Sequence, residues 1–202
     1  SSGGSCGWIT DRPLNEGECR MWGNPIAEMM YESLRYFAGK GTPTTEFTYT
    51  TPADSGLSLS KPSWGYSKGS STYQLYDIYP PCAKPFMLIL SDINPSYDSD
   101  QIPGSSFKKT DGTYFSEDAA SPQLGLGVAG ADGVSLLNKL ADTIGTSEGI
   151  IGDSWFVGEN GSTTDFVCSS KSVTKLSLLR GMCPEEPTKR GSFYSAALAY
   201  YG

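Results

Sequence analysis

The sequence predicts an α/β fold in which helices cover both faces of a doubly wound, parallel sheet. An uninterrupted apolar run, Phe86–Leu90, lacks polar alternation and is therefore typical of a strand buried on both faces. Two stretches, Pro25–Phe37 and Val134–Ile144, carry apolar residues at helical spacing, as helices that pack on such a sheet do. We therefore expect Phe86–Leu90 in the interior of the sheet and the two helices on its faces.

The first predicted helix has clear start and end signals. Asn24 is a residue type that caps helix N-termini, and Pro25 suits the first helical position, where its missing N–H has no intrahelical partner. Gly39 and Gly41 follow the last apolar residue, as glycines do at helix C-termini. The apolar face indicates core packing, and its members are Ile26, Met29, Met30, Leu34 and Phe37.

The remaining elements are predicted from shorter patterns. The second helix covers Val134–Gly145, a third covers Gly191–Tyr201, and Val173–Arg180 is predicted as a short helix; Ile150–Val157 fits either a strand or a loop. Residues 1–202 are interpreted as a single domain with two long irregular insertions, at about 40–83 and 101–132, since loops of this length are uncommon in a compact scaffold. The first insertion has room for a short hairpin.

Composition excludes several classes of function. The 202 residues have a formal net charge of −7 and contain no histidine, which excludes His-based catalytic triads and His-ligated zinc within this sequence. No basic run is present, so nucleic acid is not expected as a partner. No apolar stretch approaches the roughly 20 residues of a transmembrane helix. The G-x-G-x-x-G pattern at Gly125–Gly130 follows no predicted strand, so we reject a dinucleotide site.

Five cysteines lie at positions 6, 19, 82, 168 and 183, and none forms a C-x-x-C pair. Cys6 with Cys19 and Cys168 with Cys183 each bracket a short loop, so local disulfides in an oxidising compartment are expected, with buried reduced cysteines as the alternative. Cys82 is left over. It is either free or bonded to a partner outside this sequence.

Three carboxylates follow the apolar run within nine residues: Asp92, Asp98 and Asp100. Ligands of open α/β sheets gather beyond the carboxyl ends of strands, and hard cations such as Mg²⁺ and Ca²⁺ prefer oxygen ligands. The alternative is that these aspartates are turn or solvated residues. An EF-hand is rejected, because the glycine at the sixth position and the closing glutamate are missing.

At this point the sequence resembles a known family. Gly23–Glu28 and Leu88–Asp92 are similar to two metal-site motifs of the von Willebrand factor A fold, a doubly wound α/β sheet. Three longer strings resemble the PilY/PilC-type tip adhesins and assembly factors of type IV pili; they are WGNPIAEMMYESLRYFAG, LSDINPSYDSDQIPG and CPEEPTKRGSFYSAALAYYG. Together they extend over residues 22–202.

The resemblance implies a metal site with Asp92 and Asn24 as ligands, and Asp98 and Asp100 beside them. Asn24 stands where the family has a threonine, and the family's D-x-S-x-S motif is absent from this sequence. The carboxy-terminal β-propeller of the full-length family proteins is absent as well. The resemblance therefore implies an internal fragment with an incomplete sheet, and weak or absent binding of Mg²⁺ or Ca²⁺ in this chain.

The implied function is that of a non-enzymatic adhesion and assembly component of type IV pili. Its expected partners are pilus proteins such as the minor pilins, and a host surface or extracellular matrix. Its expected location is the pilus at the cell surface, which the protein reaches through the periplasm. A purely structural pilus component is one alternative. A secreted carboxylate-dependent hydrolase is another, and its candidate residues are Asp92, Asp98, Asp100, Glu185 and Glu186.

Overall fold

The computed structural model contains three α-helices among the residues that it describes. Helix α1 spans Ile26–Phe37, α2 spans Leu136–Ser147 and α3 spans Tyr194–Tyr201. Each overlaps a stretch that the sequence predicts as helix, so these three predictions are confirmed. None of the described helices is long and apolar enough to cross a membrane. The described residues are 23–48, 62–64, 66–68, 71–73, 79–80, 82–91, 94–117, 124–161 and 163–202.

Helix α2 shows how local chemistry sets these boundaries. The Ser135 hydroxyl accepts a hydrogen bond from the Asn138 N–H and so caps the first turn. Beyond its last turn the chain reaches Gly149, whose φ of +69° is a left-handed conformation that glycine adopts readily. Leu137 and Ala141 are buried. The amphipathic pattern in the sequence therefore identifies the face of α2 that packs in the core.

The described strands are short and pair in antiparallel fashion. The prediction of a chain with both helices and strands is confirmed, but among the described residues no parallel, doubly wound sheet is present. The pairs are β1 (Tyr66–Lys68) with β2 (Ser71–Tyr73), β3 (Ser154–Val157) with β5 (Ser169–Ser172), and β4 (Glu159–Asn160) with β6 (Leu179–Arg180).

The prediction that Phe86–Leu90 forms a buried strand is wrong. The side chains of Phe86, Leu88 and Leu90 are 85, 84 and 84% exposed, and none of the described strands includes or pairs with this segment. An apolar run shows that a segment gains free energy when it is covered. It does not show that the covering strands are present.

Two shorter predictions have different outcomes. Strand β3 confirms a strand within Ile150–Val157, and the β1–β2 pair confirms the hairpin. The helix predicted at Val173–Arg180 is wrong: Leu176–Leu178 forms one 3₁₀ turn, and the next two residues form β6. Pairing of β6 with β4 outweighs the weak helical preference of so short a stretch.

The chain divides into two compact units. The main unit consists of the described residues within Ser1–Met30, Leu90–Glu117 and Gly125–Gly202. Its core cluster contains four buried aliphatic side chains, and partly buried residues of α2 and of the segment before α3 pack against them. The four are Val157, Val173, Leu176 and Leu179.

The second predicted insertion belongs largely to the main unit. Its described residues form no helix or strand apart from an isolated bridge at Ala129, as the sequence predicts. Ile102, Phe107 and Leu126 are nevertheless buried. The irregular segment is therefore held by apolar anchors rather than by backbone pairing.

The small unit consists of the described residues within Tyr31–Ile89 and Asp118–Leu124, and it contains the first predicted insertion. Here Glu32 accepts hydrogen bonds from the Thr44 N–H at 2.8 Å and the Thr44 hydroxyl at 2.6 Å. The buried Arg35 donates to the same carboxylate at 3.0 Å and lies over the Trp64 ring. These contacts fix the segment that follows α1.

One of the two predicted disulfides is confirmed. Cys168 and Cys183 are bonded, with a sequence separation of 15. Cys82 is free and exposed, which matches one of its two predicted states. Cys6 and Cys19 lie outside the described residues, so their bond stays a prediction.

We expect the paired replacement Cys168→Ser/Cys183→Ser to destabilise the chain by about 3 kcal/mol, because the bond restricts a loop of that size in the unfolded state. Urea denaturation without reductant measures the difference. Cys82→Ser is the control and should change the unfolding free energy by less than about 0.5 kcal/mol, since the residue is exposed. Equal stabilities of the paired variant and the wild type would contradict the prediction.

Candidate functional site: the acidic loop and the start of the first helix

The acidic loop, residues 94–101, lies beside the start of α1. The Asn24 N–H donates to the Ser96 hydroxyl at 2.8 Å, and the Ser96 N–H donates to the Asn24 carbonyl at 2.9 Å. The Asn24 amide group donates to the Asn94 carbonyl at 2.8 Å and to the Ser91 hydroxyl at 2.9 Å. Both amide protons of Asn24 therefore go to the chain on either side of Asp92.

Asp98 is the most buried acidic residue of this loop, with no exposed surface. Its Oδ1 accepts a hydrogen bond from the Ser192 N–H at 2.6 Å, and the Ser192 hydroxyl donates to the Asp98 carbonyl at 3.2 Å. The Ala27 N–H, in the first turn of α1, also faces the carboxyl group. Oδ2 has no hydrogen-bond partner of normal geometry. Asp98 thus joins the start of α1 to the segment that leads into α3.

Burial controls the charge of this group. Loss of solvent raises the pKa of Asp98 to about 7, while hydrogen bonds from Ser192 and the Ala27 N–H act in the opposite direction. Near neutral pH a large share of the molecules therefore carries a protonated Asp98. In that state Oδ2 can hold the proton and needs no external donor.

The loop has further anchors that sequence reasoning missed. The Gln101 N–H donates to Glu28 at 3.1 Å, and Arg180 donates to the Ser99 hydroxyl at 3.2 Å. These partners are separated by 73 and 81 residues, and those of Asp98 and Ser192 by 94. No local pattern in the sequence identifies pairs at such distances, so only the fold reveals them.

Arg180 connects the loop to the paired strands β4 and β6. Its guanidinium forms an ion pair with the buried Glu159 directly across the two strands, and it lies 4.2 Å from the centroid of the Phe107 ring. Just beyond the loop, the Tyr194 hydroxyl of α3 accepts a hydrogen bond from the Ser106 N–H at 2.9 Å. The loop is therefore fixed to several elements of the main unit.

The predicted metal ligands can now be compared with this geometry. No group of three acidic or cysteine side chains that could hold a cation is present in the described part of the chain. Asp98 is enclosed and bonded to Ser192, and Asp100 is partly buried. The side chain of Asn24 has only its Oδ1 atom to offer a cation, because its amide protons bind Ser91 and Asn94. Asp92 lies outside the described residues. The described donors do not form a complete cation shell, and metal binding stays a prediction.

Three of the five carboxylates considered for hydrolysis have protein partners in the described part of the chain. Glu185 accepts a hydrogen bond from the Asn94 amide at 3.1 Å, and Glu186 forms an ion pair with Lys189. Asp98 has no exposed surface. A glycosidase needs two carboxylates that face a substrate cleft. Here Glu185 and Asp98 bind the loop to the segment before α3, and Glu186 forms an ion pair within that segment.

Comparison with known proteins identifies the family. A family model described as PilY1 homolog, second domain, matches residues 1–202. The chain belongs to this family. It is 43% identical over 204 residues to the type IV pilus biogenesis factor PilY1 homolog of Xylella fastidiosa (strain Temecula1), covering 98% of this chain and 12% of that protein. No solved structure matches the chain.

Membership of the PilY1-homolog family confirms the resemblance of the three strings to the PilY/PilC-type proteins of type IV pili. The three strings that carry it meet in the main unit of this second domain. The first contributes Asn24, the second contributes Ser96 and Asp98, and the third contributes Ser192 and Lys189, whose carbonyl accepts from the Tyr97 N–H. Residues from all three strings therefore contact one another where the start of α1, the acidic loop and the segment before α3 meet.

Proposed function

We propose that this chain acts in type IV pilus biogenesis by binding other proteins rather than by catalysis. The observation that carries the proposal is its 43% identity, over nearly its whole length, to a type IV pilus biogenesis factor PilY1 homolog. The chain spans only about an eighth of that relative, so its role is that of one domain within a larger protein. Among its partners we expect minor pilins, and for an adhesive role a host surface or extracellular matrix.

The main unit offers a surface that suits protein binding. Trp155 and Phe156 on β3, with Val167 just before β5, are all exposed. Aromatic side chains are enriched in the cores of protein interfaces. We call these three residues the hairpin surface; it includes both faces of the β3–β5 pair, because neighbouring side chains of a strand point to opposite sides. The disulfide at Cys168 follows it directly and fits the oxidising conditions of the periplasm and the cell exterior.

A chimera tests the proposal. In a Xylella fastidiosa strain that lacks its PilY1 homolog, we would express that protein with its matching region replaced by this chain. We expect the chimera to restore surface pili, counted by electron microscopy. A chimera that is produced and exported at the normal level but forms no pili would contradict the pilus role.

Substitutions in the same chimera test the hairpin surface. Phe156→Asp should reduce the number of pili at an unchanged protein level, because a charge on an apolar contact is unfavourable. Val128→Asp is the matched control, since Val128 is similarly exposed and lies outside the hairpin surface. Equal pilus numbers with both variants would show that the hairpin surface has no part in binding.

We also propose that the full polypeptide contains a von Willebrand factor A-like domain that binds Mg²⁺ or Ca²⁺. Calorimetric titration should show weak binding to this chain and tighter binding to the full-length protein, because the chain lacks the D-x-S-x-S motif. Asp92→Ala should weaken binding in the full-length protein, and Asp111→Ala, which changes an exposed turn, should not. Equal affinities of chain and full-length protein, or no effect of Asp92→Ala, would contradict the proposal.

A further inference from the structure

The Lys171 ammonium group lies within hydrogen-bond reach of four oxygen atoms. It donates to the Val157 carbonyl at 2.8 Å, the Val167 carbonyl at 2.7 Å and the Ser169 hydroxyl at 2.8 Å. A carboxylate oxygen of Asp165 lies 3.0 Å away. Because an ammonium group has three N–H donors, each of them has an acceptor. We call Val157, Asp165, Val167 and Ser169 the oxygen cradle.

The position of Lys171 in its strand is unusual. Lys171 is the buried residue of β5, and the three serines of that strand are more exposed. Lysine is seldom buried unless its charge is paired, because removal of an ammonium group from water is unfavourable. The oxygen atoms of the cradle offset this cost. The burial of Lys171 therefore depends on the cradle around its ammonium group.

The oxygen cradle joins the end of β3 to the residues that lead into β5. Val157 is the last residue of β3, and Asp165 and Val167 precede β5. Between these two lies Phe166, whose φ of +58° is uncommon for a residue other than glycine and is maintained by surrounding contacts. The Asp165 carboxylate accepts from the Val167 N–H at 3.1 Å as well as binding the ammonium group. The ammonium group is thus the shared partner of this turn and of β3.

The chemistry of the oxygen cradle is that of a cation site. Carbonyl, hydroxyl and carboxylate oxygens are the ligands that bind hard cations in proteins. Ca²⁺ takes about six to eight such ligands, whereas the cradle offers one oxygen from each of four residues, and only Asp165 among them carries a formal charge. This set of ligands suits a single positive charge.

We propose that the oxygen cradle is a binding site for a monovalent cation, and that its occupant is the chain's own Lys171 ammonium group. The tethered ammonium takes the place of a bound ion, so the turn before β5 keeps its conformation without a cation from solution. Val167 of the hairpin surface lies on this turn, and Cys168 of the disulfide follows it. The inference concerns how the turn is held. It does not depend on the pilus role and is tested separately from it.

Lys171→Ala with added n-propylammonium tests the proposal. The substitution removes three carbons and the ammonium group, which n-propylammonium replaces. We expect the Tm of the variant to lie about 10 °C below that of the wild type, because buried oxygens lose their donor. At constant ionic strength n-propylammonium should recover at least about half of this difference, since a ligand of the folded state raises the Tm. The wild type should change by less than about 1 °C.

The matched control ligand is n-propanol, which has the same three carbons and no charge, and it should recover nothing. Equal recovery with n-propanol would show that the site needs its volume filled and not its charge balanced. No recovery with n-propylammonium would show that the oxygens do not bind a free cation. If Lys171→Ala is unfolded in buffer, refolding with and without n-propylammonium is measured instead, and failure to recover folded chain would overturn the proposal.

Asp165→Asn tests the source of the cradle's charge. In the Lys171→Ala background it should raise the n-propylammonium concentration for half-maximal recovery at least about tenfold, because the one carboxylate of the cradle is lost. Asp153→Asn is the matched control: Asp153 is exposed and precedes the other end of β3, so the concentration should not change. Equal concentrations for the two double variants would overturn the assignment of a cation site.

Discussion

Asp98→Asn is expected to abolish most of the loss of stability that the wild-type chain undergoes between pH 5 and pH 8. The pKa of Asp98 is about 7 in the folded chain against an ordinary value of 3.8, because burial disfavours the carboxylate. Because folding raises the pKa, the protonated Asp98 contributes to the stability of the folded state. This contribution is fully present below pH 3.8 and is lost as the pH rises through about 7. From pH 5 to pH 8 the loss amounts to about 2–3 kcal/mol.

Urea denaturation at pH 5 and pH 8 measures this difference. Asparagine keeps an oxygen that accepts from the Ser192 N–H and has no proton to lose, so the variant should be more stable than the wild type at pH 8. Asp111→Asn is the control: Asp111 is exposed, and hydrogen bonds from Thr113 lower its pKa to about 2, so it stays ionised throughout this range. The same pH dependence in the wild type and Asp98→Asn would show that Asp98 does not titrate there.

Gly191→Ala is expected to destabilise the main unit by about 3 kcal/mol or more, at or above the upper end of overpacking costs. A Cβ atom at Gly191 would overlap the carbonyl group of Pro95, which is backbone and has little freedom to move. The Gly191 carbonyl also accepts from the Gly181 N–H at 2.8 Å. A shift at position 191 would therefore disturb both this bond and the adjacent Ser192.

The matched control for this substitution is Gly23→Ala. A Cβ atom at Gly23 would lie 3.7 Å from the Tyr97 ring, which is an ordinary contact, so we expect a change of less than about 0.5 kcal/mol. Denaturation curves of the two variants and the wild type are compared at one pH. If Gly191→Ala unfolds at the wild-type urea concentration, the close approach to Pro95 does not constrain the main unit.

The sequence is informative where structure depends on neighbouring residues. Helix α1 is predictable because Pro25 and the apolar face lie within one short stretch. The Cys168–Cys183 bond is predictable because it closes a small loop. Antiparallel pairs as short as β4 with β6 have no comparable signal, since two residues cannot establish a periodicity.

The candidate site shows the limit of the same reasoning. The family resemblance implies that Asn24 lies beside the acidic loop, and in the structure Asn24 binds Asn94 and Ser96. The role of Asp98 could not be predicted, because its partner Ser192 is 94 residues away and a buried structural aspartate and a metal ligand look alike in a sequence. The apolar composition of Phe86–Leu90 indicates that burial would be favourable, but burial in a sheet also requires neighbouring strands, which a local pattern cannot show.

The joint between Asp98 and Ser192 also constrains when the main unit can fold during synthesis. Domains usually fold as units, N-terminal parts first, while the chain is being made, and contacts between residues far apart in sequence form slowly. Here the N–H group that satisfies Asp98 comes from residue 192 of 202. Until that residue has left the ribosome, the Asp98 carboxyl group lacks the Ser192 N–H as its hydrogen-bond donor. Helix α1 therefore cannot reach its final packing before residue 192 is available.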